Sequence, residues 1–303
     1  MYNERIVCAY LYPITKYGYP PDADRTVDYL REMKALGFKN VELEGIRESH
    51  LQKVYDLKDN IAENIISLDL NVSYFCTVLP GLSLPDKNTK QQQLDLFVKG
   101  CEIAKLFGAK GVLDNAPLPP YKFPADIPVV RHYNDEIMSS AYLPFDLNWD
   151  EYWDNLINTY RTICDIAKDY GLTYQVHPAL GLLSSTTDSF LYFYDAVKRD
   201  NLRFNLDTAN QFILNDNLTL ALRRLKDHID YIHISDNRGK KPEHLEIGKG
   251  IIRWDIFFET IDLINYKGLI GLDIGGSESS IDNLDIAYKN SADWLEKNWL
   301  GKK

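Results

Sequence analysis

Apolar residues recur along the chain with two alternating periods. In residues 22–36, DADRTVDYLREMKAL, Val27, Leu30, Met33 and Leu36 fall on one helical face, and Asp22 or Asp24 can cap its start. Gly37 stands where such a helix must stop, and FKNVEL follows with strand composition. The same succession recurs at 92–107, Gly108 and AKGVLD, at 150–170, Gly171 and LTYQVH, and at 255–267, Gly268 and LIGLDI. These strands end on polar residues, in turn Glu42, Asp114, His177 and Asp273. Four further apolar runs, RIVCAYLYP (5–13), NVSYFCTVLP (71–80), LRFNLD (202–207) and DYIHIS (230–235), bring the predicted strands to eight.

Strands that alternate with helices need crossover connections and so pair in parallel. Eight such units in 303 residues predict an α/β fold, a single (β/α)8 TIM barrel spanning 1–303. No GxGxxG or GxxxxGK[ST] stands at a strand–helix junction, which argues against a nucleotide-binding open sheet. One connection breaks the rhythm. Residues 115–148 are rich in proline and lack periodicity, yet their Tyr, Phe and Val content suits an ordered loop. It follows the fourth strand, so a lid over the catalytic end is expected.

In a barrel of this kind the C-terminal strand ends decide function. In order they offer Glu42 and Glu44, Thr77, Asp114, Gln175 and His177, Asn205 and Asp207, His233 with Asp236, and Asp273. Alternation puts Gln175 and His177 on one face of their strand and Asn205 and Asp207 on one face of theirs. His233 and Asp273, flanked by Ile232 and Ile234 and by Leu272 and Ile274, are expected to point inward. Any one polar strand end serves most simply as a loop cap. Several converging inside a barrel must be paired or hold a metal, because an unpaired buried charge is costly. Carboxylates with histidine suit a divalent ion, Mn, Mg, Co or Zn, which would polarise a carbonyl while a neighbouring group moves a proton.

Composition narrows the partners. Hydrophobic residues make up 45% of the chain and charged residues 26%, ordinary values for a globular protein with a sizeable core. A net charge of −10 without clustered Lys or Arg argues against nucleic acid. The four cysteines show no metal-ligand spacing and read as buried free thiols of a reducing compartment. MYNERIVCAYLYP lacks a basic leader segment, and no apolar run approaches a membrane span, so a cytoplasmic protein with no membrane partner is expected.

LDTAN (206–210), HISDNRG (233–239) and the following IGKGIIRW, with Gly248, Gly250 and Trp254, resemble in order and spacing the xylose-isomerase-like sugar isomerases and epimerases. This family of (β/α)8 barrels also includes inosose dehydratases and metal-dependent apurinic endonucleases. The likeness extends from VELEG to LDIGG. It implies a metal set of Glu, Asp, His and Glu on strands five to eight. Carried over, Asp207 and His233 match, Asp273 is one methylene shorter, and Gln175 replaces the strand-five Glu, able to ligate only through its carbonyl oxygen. Asn210 stands where some members carry a histidine, and Arg238 resembles an arginine that contacts substrate. His177 is the expected base, since its ordinary pKa lies near neutrality, with Asp273 or Glu42 as second candidate. Asp114, Asn210, Arg238, Tyr10 and Trp254 are expected around a sugar or polyol, the aromatics as stacking walls if they do not simply pack the core.

The expected activity is therefore a metal-dependent isomerase or epimerase acting through an enediolate. The alternatives are a dehydratase or lyase on an inosose or 3-keto-glycoside, and a sugar-binding barrel that has lost the chemistry. Barrels of this kind often pair, so a homo-oligomer is compatible with the sequence.

Overall fold

The computed structural model describes residues 1–124 and 135–301; residues 125–134, the centre of the expected lid, and residues 302–303 lie outside the described residues. Its strands are β1 (Ile6–Cys8), β2 (Asn40–Ile46), β3 (Asn71–Val78), β4 (Gly111–Asn115), β5 (Thr173–His177), β6 (Leu202–Phe204), β7 (Leu206–Asp207), β8 (Tyr231–Ile234) and β9 (Leu269–Leu272). The helices are α1 (Leu11–Tyr17), α2 (Thr26–Ala35), α3 (Arg47–Ser67), α4 (Lys87–Leu106), α5 (Asp135–Ser140), α6 (Trp149–Asp169), α7 (Thr187–Val197), α8 (Thr208–Ile213), α9 (Leu218–Arg224), α10 (Trp254–Leu263) and α11 (Leu284–Leu295).

All strand pairs are parallel, in the order β6-β5-β4-β3-β2-β1-β9-β8-β7. The two ends of that order, β6 and β7, are consecutive in the chain and separated only by Asn205. The sixth predicted strand is therefore one run broken in two, and the sheet is a TIM barrel closed except at this seam. Asn205 sits at the break. Its backbone N–H still donates to Val176 O of β5 (3.0 Å). Its side-chain Nδ2 donates to Tyr231 O of β8 (3.1 Å), adding a side-chain tie to the other neighbouring strand.

The glycine signals hold at Gly37, Gly108 and Gly171, whose φ values of +104°, +74° and +76° are those an L side chain avoids. Gly268 is different. α10 ends at Leu263, and Asn265 takes the left-handed position at φ +53°. A Cβ on Gly268 would lie 2.1 Å from Asp230 O, so this glycine exists for close backbone approach and not to stop a helix. α4 also starts five residues before the expected 92, because Asp86 accepts from Thr89 N (2.7 Å) and caps it.

Tyr74 and Tyr231 stack at 4.4 Å beside Gln175 and Asp230, which hydrogen-bond to one another, and these residues floor the barrel below the strand ends. At the other end β2 turns directly into α3. Arg47 adopts φ +59°, and Ile46 N–H donates to His50 Nδ1 (2.9 Å), so a buried imidazole serves as the cap of the elbow. Among the described residues no helix is long and apolar enough to cross a membrane.

Two measurements test these assignments. Gly268→Ala should destabilise by about 2–4 kcal/mol, since the clash is with backbone, whereas Gly108→Ala, where a Cβ meets nothing within 4 Å, should cost about 1 kcal/mol; urea unfolding compares them. Burial lowers the His50 pKa to about 4. A folded-state pKa below the unfolded value means the stabilisation is complete above about pH 6.5 and is lost as pH falls towards 4, at most about 3 kcal/mol in all. His50→Asn, which can still accept from Ile46, should remove that fall between pH 7 and 4.5; parallel losses in variant and parent would refute the role.

Candidate active site

The C-terminal strand ends surround a cavity of about 360 Å³ whose lining includes Asp114, His177, His233 and Asp273. At its base, Asp207 begins α8 and spends one oxygen on that helix, Oδ1 accepting from Asn210 N (2.7 Å). The other oxygen, Oδ2, is buried without a hydrogen bond. It lies 4.0 Å from His233 Nδ1, which is also buried and unbonded, and 3.8 Å from His244 Nε2. His244 Nε2 is in turn 3.8 Å from Asp273 Oδ2. Two groups of three ligand atoms, His177–Asp207–His233 and Asp207–His244–Asp273, each gather within 4.8 Å, and the groups share Asp207.

His233 is oriented from behind. Its Nε2–H donates to Glu42 Oε2 (3.0 Å), while Glu42 Oε1 accepts from Tyr10 N (3.3 Å). That leaves Nδ1 facing Asp207, and a carboxylate behind a histidine is the usual support for a metal-binding imidazole. Burial pulls the His233 pKa down, but Glu42, Asp273 and Asp207 outweigh it and hold it up at about 9. The surroundings thus favour a cation at this point. Unbonded carboxylate and imidazole atoms aimed at one spot, with hard oxygen and borderline nitrogen donors, fit a divalent ion.

His177 is held differently. Asn205, fixed by its bond to Tyr231, presents Oδ1 to His177 Nδ1 (2.8 Å), and Asn210 Nδ2 stands 3.2 Å from Nε2. The network assigns the proton to Nδ1 and leaves Nε2 as acceptor. Burial lowers the pKa of His177, offset in part by Asp207, so the neutral ring is favoured. A neutral imidazole with a fixed acceptor nitrogen in a cavity is equipped to take a proton. Burial raises the Asp114 carboxyl well above its ordinary value, against bonds from Leu79 N and Asn115 N.

The structure therefore brings together Asp207, His233, Asp273, His177 and Asn210, with Glu42 behind His233 and Asp114 on the cavity wall. Four other residues singled out from the sequence lie elsewhere. Gln175 sits one layer below His177 and donates to Asp230 in the floor, so the cluster assembles without it. Tyr10 is buried and contributes its backbone N–H to Glu42. Trp254 donates through Nε1 to Asp236 (2.9 Å) and packs on Phe257 and Phe258 outside the barrel. Arg238 pairs with Glu243 (3.2 Å) beside a separate groove lined by Phe212 and Ile251. Asp236 itself is a loop clamp, accepting from the backbone of Asn237, Gly248 and Ile252.

His244 escaped the strand-end reasoning because it lies on an aperiodic loop. A bridge from Asp236 to Leu245 and a bond from Gly275 N to His244 O (2.9 Å) fold that loop back onto the end of β9. The only sequence signal was its place four residues before Gly248. Of the segment 115–148, the described parts dock beside β5: Tyr121 OH donates to Gly181 O (3.2 Å), and Lys122 and Tyr142 pair as an antiparallel bridge.

Comparison with known proteins agrees with this architecture. An uncharacterised protein of Methanocaldococcus jannaschii is 28% identical over 158 residues, 51% of this chain and 59% of that protein. The 2-oxo-tetronate isomerase of Haemophilus influenzae is 28% identical over 163 residues, 52% of this chain and 60% of that protein. In both cases the match spans less than two thirds of the relative's length. The apo crystal structure of the 3-keto-D-glucoside 4-epimerase of E. coli superposes with a TM-score of 0.74 at 17% identity, covering 97% of this chain and 99% of that one, which establishes a shared fold. Residues 30–298 match the family model described as a xylose isomerase-like TIM barrel, and the chain belongs to that family.

Proposed function

We propose that the protein is a divalent-metal-dependent isomerase or epimerase of keto sugars or related polyols, working by proton removal next to a carbonyl. The observation that carries this reading is the chain Glu42–His233–Asp207, in which a carboxylate-backed imidazole and a carboxylate aim two unbonded buried atoms at one point. Asp207, His233, Asp273 and His244 would hold the ion, which when bound supplies polarisation of the substrate carbonyl. His177, left out of that set, would take the proton from the adjacent carbon at Nε2 once substrate displaces the Asn210 Nδ2–H that this nitrogen accepts. Asn205 keeps its other nitrogen protonated and the ring in place. Asp273 also lines the cavity and would be the second group that inversion or transfer to the neighbouring carbon requires.

The names of an isomerase acting on a 2-oxo-tetronate and an epimerase acting on a 3-keto-glucoside support this class. A lyase would share the first step and differ only in expelling a group β to the carbanion, so a 3-keto-glycoside or inosose is the second reading. Residues 115–124 and 135–148, which pack against the loop after β5, would cover part of the bound sugar.

Metal analysis combined with proton exchange tests the assignment. Protein loaded with Mn, Co, Zn or Mg should retain one ion or more per chain, and Asp207→Ala should lose it. His177→Ala should keep the metal yet exchange the α-proton of a keto sugar into D₂O at least about 10²-fold more slowly. Loss of metal from the His177 variant would make that residue a ligand and place the base elsewhere.

A further inference from the structure

The cavity that reaches His177, His233 and Asp273 is also lined, at the β2–α3 elbow, by Tyr19, Glu44, Arg47 and Glu48. Three features set Arg47 apart. Its backbone is held in the left-handed region at φ +59° by a built junction: Ile46 N–H is capped by His50, and a Cβ on Gly45 would lie 2.2 Å from Leu51 Cδ1, so β2 and α3 meet in close contact. Its guanidinium lies over the Tyr19 ring, 5.4 Å from the centroid. Among the described residues it has no ion pair or hydrogen bond, although two glutamates flank it in sequence. Glu48 accepts from Gln93 Nε2 (2.6 Å), and Glu44 has a partner of its own. A half-buried planar fork of N–H donors, stacked on an aromatic ring and unclaimed by either carboxylate, is suited to bidentate capture of an anion.

We propose that Arg47 anchors an anionic end group of the substrate, so that the protein acts on an acidic keto sugar, either a sugar acid or a sugar phosphate. This rests on the proposed function for the reacting end, at Asp207 and His177. Arg47 is then the specificity residue at the other end of one cavity, and the shared chemistry of the two substrate types is a terminal oxyanion.

Calorimetric titration of manganese-loaded protein with D-erythronate, D-erythritol 4-phosphate and erythritol tests this without turnover. At least one acidic probe should bind 10-fold or more tighter than erythritol, and which one does so separates carboxylate from phosphate. Arg47→Gly suits the left-handed backbone and so should fold at least as well as the parent. It should cut the margin below 3-fold and leave erythritol binding unchanged; Arg47→Lys should keep part of the margin. Equal affinities in the parent protein, or a margin that survives Arg47→Gly, would overturn the proposal. So would a margin lost in Asp207→Ala but kept in Arg47→Gly, which would put the anion on the metal cluster. Exchange of neutral keto sugars without any anionic preference would remove the anchor and leave the proposed reaction standing. An Arg47-dependent preference in a protein that exchanges no proton would do the reverse.

Discussion

One buried side-chain amide ties the closure of the barrel to the state of its candidate base. Asn205 stands between β6 and β7, donates to Tyr231 O and, with that orientation fixed, presents its oxygen to His177. An apolar side chain here could not have set the tautomer of a histidine on the neighbouring strand. The residue at the break between β6 and β7 is thus also the one that holds His177 in place. The seam and the base stand or fall together, because each of the two hydrogen bonds fixes the orientation that the other needs.

The remaining polar groups follow the same logic of one occupied face and one presented face. Glu42 takes His233 Nε2 and leaves Nδ1; Asp207 gives Oδ1 to the first turn of α8 and leaves Oδ2. Leaving such atoms unbonded in a buried site is destabilising by roughly 1–3 kcal/mol each. The proton held by His233 up to about pH 9 shows how strongly the surrounding carboxylates select positive charge. On the proposed reading these groups are arranged for a cation, and the fold around them, with its stacked tyrosine floor and parallel ladder, carries the stability they give up.

Much of this was legible in the sequence. Helix, glycine and strand recur at a spacing that only a crossover-connected parallel sheet accommodates, and alternation correctly put Asp207, His233, Asp273 and His177 on the inner face. The misreadings have physical reasons. Gly268 sits after a helix just as Gly171 does, but packing against Asp230, invisible in sequence, explains it. Arg238 lies in a loop clamped by Asp236, and Trp254 opens the helix that follows it, so their proximity in sequence to His233 says nothing about the cavity. His244 and Arg47 were missed because a loop histidine and an elbow arginine carry no period at all.

Gln175 shows where a sequence correspondence needs the third dimension. It shares a face with His177, but two residues along a strand are about 6.6 Å of depth, and at its depth the available partner is Asp230 in the floor. The proposed donor set of Asp207, Asp273, His233 and His244 would replace the Glu, Asp, His and Glu that the family resemblance implies. That exchange of a carboxylate for an imidazole lowers the formal charge of the ligands from −3 to −2. Two carboxylates neutralise a divalent ion without exceeding its charge, whereas three leave the site anionic and donate more electron density to the metal. The ion would then polarise a carbonyl more strongly, which suits a base as mild as a neutral imidazole. The shift of a carboxylate out of the cluster and the use of His177 for proton removal are, on this argument, two sides of one adjustment.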